Sequence, residues 1–170
     1  MSRLRLVAPA LALTALASAC GGSSSGGNSA GNAPPSSAPP TSPPATAPAN
    51  EAAAKAAIKA NWTKFYAYKT KAAVAASLLE DGASMGGALA YARREQAQTH
   101  IKQNVKVKVI TFTDPTHANV TYALLNGSTP LLPNASGVAI YSNGKWLVSK
   151  QSFCTLVLLG ANGKAVPGCS

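Results

Sequence analysis

Few side chains in this 170-residue chain are suited to chemistry, and they are scattered. The two histidines are His100 and His117, too far apart in sequence to form a ligand pair of the HExxH kind. The five carboxylates are Glu51, Glu80, Asp81, Glu95 and Asp114. Acid–base catalysis needs two groups on one site with separated proton affinities, and no two of these fall at a spacing that suggests it. Asp114 precedes Pro115 and reads as a turn former, Glu80-Asp81 adjoins Gly82 as a helix end, and Glu95 follows Arg93-Arg94 on a solvated face. Gly160-Ala161-Asn162-Gly163-Lys164 has the glycines of a phosphate loop, but neither its spacing nor its following Ser/Thr, and reads as a flexible loop. No cofactor and no metal is expected.

The cysteines carry more information. Cys20 follows Arg3 and Arg5, an apolar run from Leu6 to Leu16, and the small residues Ala17-Ser18-Ala19. A basic start, a short apolar core and a small residue before cysteine make an export signal, residues 1–19, ending at a lipid-attachable Cys20. The run is about half the roughly 20 residues a membrane-spanning helix needs, so the segment is expected to be cut rather than to span. Ala17-Ser18-Ala19 also suits ordinary secretion, which is the alternative. Exported domains meet oxidising conditions, so the remaining Cys154 and Cys169 read as one disulfide that holds the C-terminal tail.

Residues 20–50 read as a tether. Gly21–Asn50 has no charged residue; it is rich in Gly and Ser to Gly31 and rich in Pro thereafter. Such a composition buries too little apolar surface to offset the entropy of ordering. Residues 51–170 are long enough for one domain and carry thirteen Lys/Arg against five Asp/Glu. The partners this implies are the membrane, through the lipid, and an anionic envelope component or an apolar small molecule. Nucleic acid is excluded for an exported chain with no aromatic-interleaved basic run.

The elements that must position these groups divide by period. Ala54, Ile58, Trp62 and Phe65 form one helical stripe from Glu51 to about Tyr68, capped by Asn50. Ala72–Glu80 and Ala88–Thr99 read as two further helices. Val105, Val107 and Val109 alternate with Lys106 and Lys108, as in a half-buried strand. Asp114-Pro115-Thr116-His117 turns the chain into a second strand through Val120, Tyr122 and Leu124. Pro130 and Pro133 mark an irregular link before a third strand at Val138–Tyr141. Asn143-Gly144 signals a tight hairpin, and a fourth strand runs from Trp146 to Phe153. Helices followed by an antiparallel meander predict an α+β domain, with the helices on one face of a curved sheet of about four strands. Trp62, Phe65, Tyr66 and Phe112 supply aromatic bulk for its core or, alternatively, for an apolar pocket.

Ile58–Phe65, the Leu78-Leu79-Glu80-Asp81-Gly82 turn, Ala118–Leu125, Gly137–Tyr141, the hairpin from Asn143 to Ser149 and Phe153-Cys154 together resemble the C-terminal domain of the actinobacterial low-molecular-weight secreted antigens. That family belongs to the nuclear-transport-factor-two-like, cystatin-like superfamily. The resemblance covers about Glu51 to Cys169. It implies a conical α+β fold with helices wrapping the concave side of the sheet, and exposure at the cell surface. It implies no catalytic residue. The superfamily also holds isomerases and dehydratases that use an acid or histidine inside the cone, so an enzyme of that type is the alternative to a binding domain. A protein that holds anionic envelope polymers is the other.

Overall fold

The computed structural model describes residues 45–169. The export segment, Cys20 and the tether as far as residue 44 lie outside the described residues.

Helix α1 (Glu51–Tyr66) starts where Asn50 accepts a hydrogen bond from the Ala53 N–H at 3.0 Å. Ala54, Ile58, Trp62, Phe65 and Tyr66 form its buried stripe. It ends two residues before the sequence expectation. Ala67 turns extended and the Tyr68 N–H donates to the Gln103 carbonyl at 2.9 Å, tying the chain to the start of the sheet.

Helix α2 is only Ala72–Ala76, not the nine residues expected. Leu79 pairs in parallel with Val148 instead, through Val148 N–H to Leu78 O and Glu80 N–H to Val148 O, both 2.9 Å. Extended pairing satisfies an otherwise bare strand edge, which one more helical turn would leave open. Helix α3 (Gly86–Thr99) follows and ends at His100 in the left-handed conformation. Its Ala88 and Leu89 are buried, while Ala97 is exposed.

Four strands, β1 (Gln103–Asp114), β2 (His117–Asn126), β3 (Thr129–Ser142) and β4 (Lys145–Val148), form an antiparallel sheet in the order β1-β2-β3-β4. The fold class is α+β, as the change of period predicts. The β3–β4 turn is Asn143-Gly144, both at positive φ, which matches the right-handed twist of the flanking strands.

Two irregularities correct the sequence expectation. The register of β1 shifts between Val107 and Val109, so Lys108 is an extra residue. Val109 therefore turns out, 54% exposed, and Ile110 and Phe112 turn in. Without the bulge the valine alternation and the later Ile/Phe alternation would demand opposite faces. Second, Pro130 and Pro133 lie inside β3 rather than in a link. β4 pairs only with Ala139–Ser142, so the earlier half of β3 has no outer strand partner among the described residues, and proline is tolerated on such an edge.

The fourth strand does not reach Phe153. Ser149 accepts from the Ser152 N–H at 3.1 Å and starts helix α4 (Lys150–Gly160). Ser152 Oγ in turn accepts the Val138 N–H at 2.7 Å, closing the β3 edge where β4 stops. Gly137 makes room for this junction: a Cβ there would meet the Trp62 ring at 2.9 Å and Ser152 Oγ at 3.0 Å. Cys154 on α4 is bridged to Cys169, with Cα atoms 5.2 Å apart. The bridge holds a tail whose Ala161 and Val166 are buried.

α1 packs against β1 and β4, and α4 against β3, so one face of the sheet carries the helices. Trp62, Tyr122, Ile58, Met85, Val120 and Val148 are the largest fully buried side chains.

Candidate functional site

The ionisable groups among the described residues do not assemble into a catalytic set. Asp114 and His117 meet at 3.0 Å, but on the exposed β1–β2 turn. Asp114 also accepts the Thr116 N–H and hydroxyl, each at 2.7 Å. These hydrogen bonds from Thr116, with His117 adding to them, lower the Asp114 pKa to about 2. The Thr116 hydroxyl and the carboxylate both approach the same imidazole nitrogen, Nδ1. A proton relay needs them on opposite nitrogens, so the cluster is a turn. His100 is an exposed helix cap. Glu80 accepts the Lys150 N–H at 2.9 Å and so places its negative charge at the start of α4. No group of three or more His, Cys, Asp or Glu among the described residues could hold a metal ion. Gly160–Lys164 is the turn that ends α4, with Asn162 and Gly163 at positive φ.

One feature with binding capacity is a half-open cavity of about 130 Å³ formed by all four helices and the start of β1. Phe65 and Tyr66 come from α1, Ala75 from α2, Leu89 from α3, and Phe153, Leu156 and Val157 from α4. Arg93, Glu95, Gln96 and Gln103 line its polar side. Arg93 Nη1 donates to Tyr68 O at 3.1 Å and to Gln96 Oε1 at 3.2 Å, and Gln96 Nε2 donates to Gln103 Oε1 at 2.7 Å. Partial burial lowers the Arg93 pKa, yet an arginine stays charged at any ordinary pH.

Behind the apolar wall lies an aromatic cluster. Tyr66 stacks on Tyr122 with ring centroids 5.6 Å apart and packs edge-on to Phe65 at 4.8 Å; Phe65 meets Phe153 at 5.5 Å. Tyr66 Oη and Trp62 Nε1 are buried without a hydrogen-bond partner. Burial first, and the neighbouring Tyr122 phenol second, raise the Tyr66 pKa well above that of a free phenol. Burial likewise raises Tyr122. On the sheet side of α4 a second space of about 180 Å³ is lined by Tyr122, Leu132, Ala135, Ser152, Leu156 and Leu159 among others.

Of the four aromatic residues proposed for a pocket, Phe65 and Tyr66 line the first cavity. Trp62 is core, packed on Tyr122 at 5.9 Å and outside the cavity wall. Phe112 is elsewhere, beside Trp146 and beneath the Lys55 ammonium. Sequence reasoning missed Leu89, Arg93, Gln96, Leu156 and Val157 as wall residues. The last two fall in the C-terminal tail of the sequence reading, and the only available signal was Ser149 as an N-cap ahead of the apolar run at Phe153.

Searches of curated proteins and of solved structures return no significant match. No helix among the described residues is long and apolar enough to cross a membrane. A family model, that of the low molecular weight antigen MTB12, C-terminal domain, matches residues 51–164. That span takes in all four helices, the whole sheet and every residue of the cavity wall, and the chain belongs to this antigen family.

Proposed function

We propose that this is an exported, non-catalytic binding domain, tethered to the outer face of the cytoplasmic membrane through a lipid on Cys20, that takes a small apolar molecule into the cavity between its helices. The observation that carries this reading is about 130 Å³ of unfilled space among Phe65, Leu89, Phe153 and Leu156, bordered by a polar rim. An enclosed engineered void of about 150 Å³ binds benzene, and this half-open space is of similar size.

The test is thermal denaturation of the domain with toluene or indole as probes. A ligand present at about 100 times its Kd stabilises by about 2.7 kcal/mol, which is a rise of several degrees in a domain of this size. A flat response to both probes rejects the cavity as a site. Intact-mass measurement on membrane-derived protein tests the anchor: the mass of acyl chains on a chain beginning at Cys20 is expected, and an unmodified Cys20 rejects it.

A second reading is a face for anionic envelope polymers. It is supported by where the carboxylates go: Glu51 pairs with Lys55, Glu80 with the start of α4, and Asp114 with its own turn. Most lysines are left facing solvent without an acid. Retention on an anionic polymer at low salt, lost at high salt, is its expected signature.

A further inference from the structure

The geometry points to a single unbranched alkyl chain as the occupant, lying beneath α4 and running from the Arg93 side past Leu156 into the second space. This deepens the binding reading above and rests on it. Leu156 borders both spaces. The stacked Tyr66 and Tyr122 rings belong one to each side, so the two walls join beneath the helix. Leu156 is only partly buried, so its side chain has room to swing aside, and a methylene chain is the slimmest apolar group that could pass it.

The far end is also suited to a tail. Leu159, 65% exposed, borders the second space, and its neighbour Leu158 is 40% exposed. Apolar side chains left in water at a rim offer contact to a chain end that emerges there. At the near end Arg93, Glu95 and Gln96 keep a polar head in water.

The first cavity alone accommodates about six carbons, by comparison with benzene in a similar void. Threading therefore predicts that affinity keeps rising beyond that length, by about fourfold per added methylene. The experiment is calorimetric titration of the protein with straight-chain alkyl carboxylates of about four to twelve carbons. A rise continuing to about ten carbons or more is expected. Ala135→Phe fills the second space from β3 and should preserve binding of the shorter chains while abolishing the gain beyond about six carbons, because Ala135 lies outside the first cavity wall. Leu132→Trp, also on β3 and outside that wall, should do the same if the phenylalanine variant does not fold. Affinity that levels off at about six carbons in the unmodified protein, or a length dependence that survives both variants, overturns the inference and leaves the binding reading standing. No binding at any length, with no response to toluene, removes both. A parallel series of monoacyl phosphatidylglycerols identifies the source: a length dependence there assigns a membrane lipid, and one confined to the carboxylates assigns a free acid.

Discussion

Phe112 and Trp146 stand on the two opposite edge strands of the sheet, yet their ring centroids are 5.6 Å apart. The residues between them explain this. Phe112 pairs across β1–β2 with Ala118, Ala118 across β2–β3 with Ala139, and Ala139 with Val148 next to Trp146 on β4. Ala118 and Ala139 are fully buried. Two methyl groups in the middle of the row let the sheet curl until the edge aromatics touch above them, with Tyr141 against Trp146 at 5.3 Å.

Enlarging the middle of that row should force the edges apart. Ala139→Leu is expected to destabilise the domain by about 1–3 kcal/mol through overpacking, lowering the thermal midpoint by several degrees. Near-ultraviolet circular dichroism should weaken as Trp146 loses its aromatic neighbours. An unchanged midpoint would show that the curl does not depend on alanine there.

The Cys154–Cys169 bridge closes a sequence separation of 15. A loop of that size is worth about 3 kcal/mol in the chain-entropy model. Reduction, or the double change Cys154→Ser and Cys169→Ser, should lower the thermal midpoint accordingly. Hydrogen exchange should quicken first around Val166, which the bridge holds in place.

Asp114 makes a pH prediction of definite sign. Its carboxyl titrates at about 2 in the fold, below the usual 3.8. The stability this gives is present above the unfolded value and lost as pH falls through the folded one. Asp114→Asn should therefore lower the midpoint at pH 5 relative to the parent, with the gap shrinking between about pH 4 and pH 2. A carboxyl carbon NMR titration of Asp114 centred near 4 would contradict the turn geometry.

Ser149→Ala removes the cap of α4. About 1 kcal/mol is expected for an ordinary cap. Here the hydroxyl also meets Ser152 Oγ at 2.6 Å in a buried site, so the loss should exceed that of a surface cap. Because α4 supplies Phe153, Leu156 and Val157 to the cavity, probe binding should fall with it, whereas a purely global effect would disappear once stability is restored by osmolyte.

The first helix was legible because Ala54, Ile58, Trp62 and Phe65 repeat at 3.6 residues and nothing competes with them. The strands were legible as strands, but the inserted Lys108 was not, since either half of β1 alternates correctly when read alone. Phe153–Leu159 defeated the reading for a different reason. A short apolar run has no period that separates a strand from a buried helix, so the fourth strand is read as far as Phe153 and the residues beyond Cys154 as a tail. The cavity was hidden by the same misreading. Its polar side could not be found from spacing either, because Gln103 meets Gln96 only once the turn at His100 brings β1 back beside α3.

The unpaired stretch of β3 has an implication for neighbours. Where many such domains stand side by side, bare sheet rims can zip into one another and grow as fibrils. Pro130 and Pro133 withhold two amide donors from that rim, so an adjacent copy finds no unbroken ladder to extend. Crowding can then raise the local density of these domains without welding them together.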